Sequence, residues 1–363
     1  MENKEPDLKN LRRPTRAIFV GPVQIGGDAP VAVQSMTNTD PRQAVATLAQ
    51  VERLAAAGCD IVRLAVPDMK AVKAFGEVKK TAPVPLIADI HFNHRLALAA
   101  LDQGADAVRI NPGNLGGAKK TRQVVEACRG HGVSLRLGVN AGSLEEDLLA
   151  RYGAPTAPAL VDSALRWVRQ FEEWGFQDFK ISLKSSDVLT TVAAYRELSR
   201  RVDYPLHLGV TEAGGLIAGT VKSALGIGLL LAEGIGDTLR VSLTRDPVEE
   251  VRVGYEILRA LHLRERGVEL ISCPTCGRCR VNLFDLAEEA DRRLLNVVTP
   301  IKVAIMGCVV NGPGEAREAD VGLAGGKGAG LLFKKGKPLR KVPEKEMLAA
   351  LLAEVAALTG ETV

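Results

Sequence analysis

Aromatic side chains are scarce in this chain, 4% of 363 residues, and they nowhere interleave with basic residues as they do on nucleic-acid surfaces. Charge of one sign is scarce too. Lysine and arginine number 47 against 43 aspartates and glutamates, mixed along the chain for a net charge of +4, so nucleic acid is not expected as a partner. There is no apolar run long and charge-free enough to span a bilayer. Six cysteines are too few for a disulfide framework at this length, and the polar stretch Met1 to Asn10 does not read as a secretory leader. A reducing, cytoplasmic setting is therefore expected, without a membrane. The 46% of hydrophobic residues suffices for two or three domains, or for one large barrel with an appendage.

From Val31 onward, short β-branched runs alternate with segments of helical period, and each helix tends to end in a glycine just before the next strand. A short hairpin over Ala17 to Ile25 precedes them. The predicted strands are Val31 to Met36, Ile61 to Val66, Leu86 to Ile90, Ala107 to Asn111, Ser134 to Val139, Phe179 to Lys184, Leu206 to Val210 and Thr238 to Leu243. Helices are predicted near residues 43–57, 68–80, 94–103, 118–130, 158–174, 187–200, 219–233 and 247–263. Eight such units over roughly 230 residues have the rhythm of a closed (β/α)₈ TIM barrel, in an α/β fold.

That fold places ligand chemistry at the C-terminal ends of its strands. The polar residues there are Gln34, Ser35 and Asn38, then Arg63, then Asp89, His91 and Asn93. Arg109 and Asn111, Arg136 and Asn140, Lys184, then His207, Thr211 and Glu212, and finally Arg240 and Ser242 complete the set. One arginine in a barrel strand is more often half of an internal ion pair than a ligand contact. Five cations with only Asp89 and Glu212 as acidic counterparts call for a polyanion, because buried charges are costly unless paired. The arginine fork suits phosphate oxygens, so a diphosphate or bisphosphate is expected. His91 and His207 are read equally well as packed core histidines. Glu212 either neutralises an arginine or acts as a general acid or base. Asn111-Pro112-Gly113-Asn114 reads as a tight turn, and Cys59 and Cys128 as inert core thiols.

The βα rhythm stops after Leu263, and residues 264–267 read as a boundary, giving domains 1–264 and 265–363. The second is expected to be a small α+β module: a helix from Leu283 to Leu295, a strand from Lys302 to Met306, three short strands within residues 322–342, and a closing helix from Glu344 to Leu358. Its lysine-rich hairpin near Lys335 reads as a solvated face. Within it, Cys273 and Cys276 stand in CPTC, and Cys308 follows after 31 intervening residues. Soft thiolates select zinc or an iron-sulfur cluster. Three without a fourth close behind suit a cluster with one open iron better than a closed zinc site. Cys279 complicates this, because with it four thiolates would close the cluster for electron transfer alone. Two rivals stay open: a barrel aldolase or isomerase with a structural zinc appendage, and an iron-sulfur electron carrier or sensor without catalysis.

The runs QSMTNTD, ADIHF, RINPGN, RLGVNAGSLE, LHLGVTEAGG, ISCPTCGR and GCVVNGPGE together resemble the 4-hydroxy-3-methylbut-2-enyl diphosphate synthases of the bacterial two-domain type. The resemblance runs from the hairpin to the chain's end. It implies a TIM barrel followed by a 4Fe-4S domain similar to the cluster domain of sulfite and nitrite reductases. Cys273, Cys276 and Cys308 would ligate three irons and Glu315 the fourth, with Cys279 a bystander. The implied reaction is reductive ring opening of 2-C-methyl-D-erythritol 2,4-cyclodiphosphate, with flavodoxin or ferredoxin as electron donor. Arg63, Arg109, Arg136, Asn140, Lys184, His207, Thr211, Arg240 and Ser242 would hold the substrate, with Asn311 orienting it from the cluster side and Glu212 donating a proton. A head-to-tail homodimer, pairing the barrel of one chain with the cluster domain of the other, is also implied.

Overall fold

A computed structural model describes residues 8–308 and 316–363. It divides into two compact units, Met1–Arg264 and Glu265–Val363.

The first unit is an eight-stranded parallel barrel. Its strands are β3 (Ala32–Met36), β4 (Ile61–Ala65), β5 (Leu86–Asp89), β6 (Ala107–Ile110), β7 (Ser134–Asn140), β8 (Phe179–Lys184), β9 (His207–Leu208) and β10 (Thr238–Leu239). They run in the order β8-β7-β6-β5-β4-β3-β10-β9, and a parallel bridge from Ile181 to Leu206 closes the circle. The hairpin β1 (Ile18–Val20) and β2 (Val23–Ile25) precedes them. Its Ile18, Val20 and Ile25 pack on Ala32, Ile61, Ile87 and Ala107, the lowest inward residues of β3 to β6. Each buried aliphatic chain contributes roughly 1.5–3 kcal/mol, so the hairpin is an apolar floor that seals the barrel's N-terminal end. Ser134 pins it by donating to the carbonyl of Phe19 at 2.6 Å.

The helices of this unit are α1 (Ala44–Ala56), α2 (Met69–Lys79), α3 (His94–Asp102), α4 (Pro112–Leu115), α5 (Ala118–His131), α6 (Glu146–Tyr152), α7 (Ala157–Glu173), α8 (Val188–Ser199), α9 (Leu216–Ala232) and α10 (Pro247–Ala260). Side-chain caps set several starts: Asp68, Asn93, Thr156, Asp187 and Asp246 each accept from a first-turn amide, satisfying donors that lack an intrahelical partner.

Three local expectations needed correction. The Asn111-Pro112-Gly113-Asn114 turn is one turn of helix, because Asn111 accepts from the Gly113 amide and proline stands at the first helical position. The 146–152 helix was not read, its seven residues being too short to show a period. The seventh and eighth strands are two residues each, and β9 leaves its ladder at Gly209. A Cβ there would lie 2.7 Å from Lys184 Nζ, so the missing side chain makes room for that lysine.

The second unit carries a five-stranded sheet in the order β11 (Val268–Ser272), β12 (Ile301–Met306), β13 (Val321–Gly325), β14 (Ala329–Lys334) and β15 (Lys337–Pro343), with α11 (Leu283–Leu294) and α12 (Met347–Thr359). Val303, Ile305, Leu323, Leu332 and Val342 pack with Leu283, Leu294, Leu351 and Val355 of the two helices. The remaining sheet residues Ala304, Met306, Ala324 and Phe333 form a second cluster. Strand β11 was not predicted. As an edge strand it has no fully buried face, so its sequence carries no clear alternation.

Among the described residues, no helix is long and apolar enough to cross a membrane.

Candidate active site

Alternation along the strands decides what faces the barrel axis. On β8, Lys180, Ser182 and Lys184 share one face; on β7, Arg136, Gly138 and Asn140 do. Asp89, Arg109, Arg136 and Lys180 occupy successive register positions across β5 to β8. The sequence-predicted cations Arg63, Arg109, Arg136 and Lys184 are all buried, and Arg240 is largely so.

Two carboxylates organise this set. Asp89 lies 3.2 Å from Arg109 Nη1 and 3.5 Å from Arg63 Nε. Burial alone would raise its pKa, but Arg63, Arg109 and Arg136 outweigh burial and hold the carboxyl below the usual range. Arg63 also donates to the Met36 sulfur at 3.0 and 3.3 Å. Glu250, from helix α10, takes Arg240 in a fork at 3.0 and 3.2 Å and accepts from Ser35 Oγ and the Leu243 amide. The sequence reading missed Glu250. Its signal was present: an acid four residues before Gly254 and eight before Leu258, on the helix face buried against the sheet.

These two carboxylates are outnumbered by the cations Arg63, Arg109, Arg136, Lys180, Lys184 and Arg240. Among the described residues, Nε and Nη1 of Arg136 are buried with no hydrogen-bond partner, as are Arg109 Nε and Lys180 Nζ. Burial, with Arg63 and Arg109 adding to it, pushes the Arg136 pKa well down. A guanidinium keeps its proton in proteins, so a buried charge remains here that calls for an anion. Lys184 is likewise pushed well down, by burial and then by Arg136, Arg63, Arg240 and Arg109. Gly138 clears space for the ring: a Cβ there would stand 2.8 Å from Arg109 Nε. With its amide oxygen turned toward the ring, Asn140 accepts from Arg109 Nη2 at 3.3 Å.

The other predicted residues lie at different depths. His207 is fully buried, its Nδ1 2.8 Å from Thr238 Oγ1, and burial followed by Arg136 and Lys184 lowers its pKa far enough to keep it neutral. Ser242 and Thr211 are half-buried, and the Thr211 amide donates to the Ser185 carbonyl. Glu212 is exposed with φ +53°, a left-handed conformation that a non-glycine residue adopts at a cost and that clusters at functional sites. It forms no ion pair among the described residues, so its expected role as an arginine counterpart falls to Glu250. Cys59 and Cys128 are core thiols pushed up to about 12 by burial.

In the second unit, β11 and β12 run parallel, with Ser272 opposite Ile305. Cys273 and Cys308 therefore follow their strands at the same, C-terminal end of the sheet. Cys273 Sγ accepts from the Gly307 amide at 3.3 Å, and a Cβ on Gly307 would come within 2.6 Å of Cys279 Sγ. Cys279 itself points its thiol at the Val281 carbonyl at 3.2 Å. Cys276 is exposed at the loop tip, and the Arg278 amide and then its side chain lower its pKa, favouring the thiolate that ligates metal. Among the described residues no three potential ligands converge closely enough to hold an ion. Glu315 and Asn311 lie outside the described residues. The donor chemistry fits an iron-sulfur cluster: soft thiols on adjacent loops, one of them favoured as a thiolate, and an amide already donating to sulfur.

The family model for the GcpE TIM-barrel domain matches residues 15–255, and that for the GcpE protein C-terminal domain matches residues 269–357. Curated relatives named 4-hydroxy-3-methylbut-2-en-1-yl diphosphate synthase (flavodoxin) are similar over nearly the whole chain. The protein from Geobacter sulfurreducens is 61% identical over 97% of this chain and 99% of its own. That from Desulfotalea psychrophila is 60% identical over 96% and 97%, and that from Lawsonia intracellularis 56% over 95% and 96%.

Proposed function

The chain belongs to the GcpE family, and from that premise we propose that it is the oxidoreductase that opens 2-C-methyl-D-erythritol 2,4-cyclodiphosphate. Two electrons and protons enter, water leaves, and (E)-4-hydroxy-3-methylbut-2-enyl diphosphate, an isoprenoid precursor, is formed. The observation that carries this reading is the excess of buried cations over Asp89 and Glu250, with Arg136 Nε and Nη1 unpartnered among the described residues. Only a polyanion balances such a site. A sugar-phosphate aldolase with a zinc appendage would share the cations, but the family carries no support for it.

Residues 1–264 are the substrate-binding domain in this reading and residues 265–363 the cluster domain. Arg63, Arg109, Arg136, Lys184 and Arg240 bind the diphosphate, with Asn140, Thr211 and Ser242 orienting it. His207 supports them from below as a neutral imidazole. Their charges offset those of the anion without reorganisation, because the strands already hold them in place. Glu212, held at the C-terminal mouth, donates a proton to the departing oxygen. Cys273, Cys276, Cys308 and Glu315 hold a 4Fe-4S cluster, with Asn311 beside the substrate oxygen. Such a cluster, when bound, supplies the two electrons and a Lewis-acidic iron with an exchangeable carboxylate ligand. Flavodoxin, which the relatives' names carry, or ferredoxin delivers the electrons. Two chains pair head to tail, each barrel completed by the partner's cluster domain, and the enzyme works in the cytoplasm.

Anaerobic iron and sulfide analysis with Mössbauer spectroscopy, alongside turnover of the cyclodiphosphate, tests the reading. One distinct iron that changes in Glu315→Ala and is indifferent to Cys279→Ser is expected. Four equivalent thiolate-bound irons that are lost in Cys279→Ser would assign the protein to electron transfer instead.

A further inference from the structure

Lys180 lies deeper than the residues assigned to the substrate. It is the second residue of β8, on the inward face with Ser182 and Lys184, 1% exposed, and among the described residues its Nζ has no hydrogen-bond partner. The charged and titratable groups around it are Arg136, its register partner on β7, Arg63 on β4, His207 on β9, and Asp237 just before β10. The one acid among them is already engaged. Asp237 Oδ1 accepts from Arg12 at 3.1 Å and from Thr15 Oγ1 at 3.0 Å, and Oδ2 from the Leu206 amide at 2.8 Å. A buried ammonium without an anion either sheds its proton or waits for charge to be brought in.

We propose that Lys180 is a positioning residue coupled to the anion: it takes up a proton as the diphosphate enters above it, and its charge then supports Arg136 from beneath as a second tier of the cation site. This rests on the diphosphate reading of the barrel. Geometry supplies the parts: an inward lysine, a guanidinium opposite it with two nitrogens unpartnered among the described residues, and an acid committed elsewhere. Burial first, then Arg136, lowers the Lys180 pKa to about 7, with Asp237 pulling it back up. An anion next to Arg136 raises it further. Below pH 7 the free protein already carries the proton. Between about 7 and the raised value in the complex, binding draws one from solution.

The test is calorimetric titration of the cluster-loaded, full-length protein with inorganic pyrophosphate, at pH 6 and pH 8, each in two buffers of different ionisation enthalpy. Subtracting Lys180→Met from wild type cancels the ligand's own protonation. At pH 8 the wild type is expected to take up about one proton more per pyrophosphate than the variant, and at pH 6 the two should agree. The affinity advantage of the wild type, largest at pH 6, should shrink by up to about tenfold per pH unit above 7. Lys180→Arg, charged at every pH, should retain affinity and lose the extra uptake. Equal proton counts in wild type and Lys180→Met at pH 8 would overturn the proposal. Should the variants not fold, zero net uptake by the wild type at pH 8, after correction for pyrophosphate, overturns it equally. A wild type that does not bind pyrophosphate at all would instead remove the diphosphate reading, and this inference with it.

Discussion

In the barrel unit the charged groups are held in place by carboxylates on neighbouring elements, Asp89 for Arg63 and Arg109 and Glu250 for Arg240. In the C-terminal unit the cysteines sit on two loops at the C-terminal end of β11 and β12, with Cys276 exposed at a tip and, among the described residues, no three ligands converged. The difference follows from the chemistry of the ligands. Cations buried in a barrel repel one another, so their positions must be set by the fold, through strand register and shared counter-ions. Thiols repel little and bind metal strongly, so in the proposed reading the cluster itself would complete their geometry.

The largest effect that separates the two units is expected from Cys273→Ser. Iron and sulfide content and turnover should be lost, while pyrophosphate affinity measured by calorimetry stays at the wild-type value. A matching loss of pyrophosphate binding would show that the two sites are not independently built. Next comes Glu212→Gln, which should lower kcat about 10²–10⁴-fold with pyrophosphate affinity retained; unchanged turnover in a steady-state assay would take Glu212 out of the chemistry.

Asp89→Ala should destabilise the barrel by about 3–5 kcal/mol, because it leaves Arg63 and Arg109 buried without their anion. Urea unfolding reads this, and saturating pyrophosphate should restore part of the loss. Failure of pyrophosphate to rescue would mean that the site is not built for an anion. Acid sharpens the same contrast. The folded pKa of Asp89 is depressed, so its contribution to stability is present above the unfolded carboxyl value near 4 and is lost as pH falls toward the folded value. Wild type should therefore lose more stability than Asp89→Asn between pH 5 and pH 2, on the scale of roughly 1–3 kcal/mol, measured as the urea midpoint at each pH. The smallest effect is expected at Cys128→Ala: turnover and iron content within about twofold of wild type, as for a buried thiol acting only as a small hydrophobe.

Strand and helix periods along the chain were enough to place all eight barrel strands and their following helices, because each buried element carries its own alternation. The same periods were silent on the edge strand Val268–Ser272, the short helix at Glu146–Tyr152 and the capped turn at Pro112–Leu115, where local hydrogen bonds or partial exposure replace a buried stripe. At the site, Arg63, Arg109, Arg136, Lys184 and Arg240 were legible as cations near strand ends. Lys180 could have been added from the two-residue alternation with Lys184, and Glu250 from its place on a buried helix face.

What the sequence determined by itself is local and chemical: the βα repeat, the surplus of cations at strand ends, and the cysteine spacing with its soft-metal preference. Tertiary structure decided the pairings, because they join residues far apart in the chain. Asp89 serves two arginines from flanking strands, Glu250 reaches from a helix to Arg240 just after the preceding strand, and Asp237 is spent on Arg12 and Thr15. Which cations remain without an anion is a difference between all charges and all partners within the barrel. That difference exists only once the strands have closed and water has been excluded from between them.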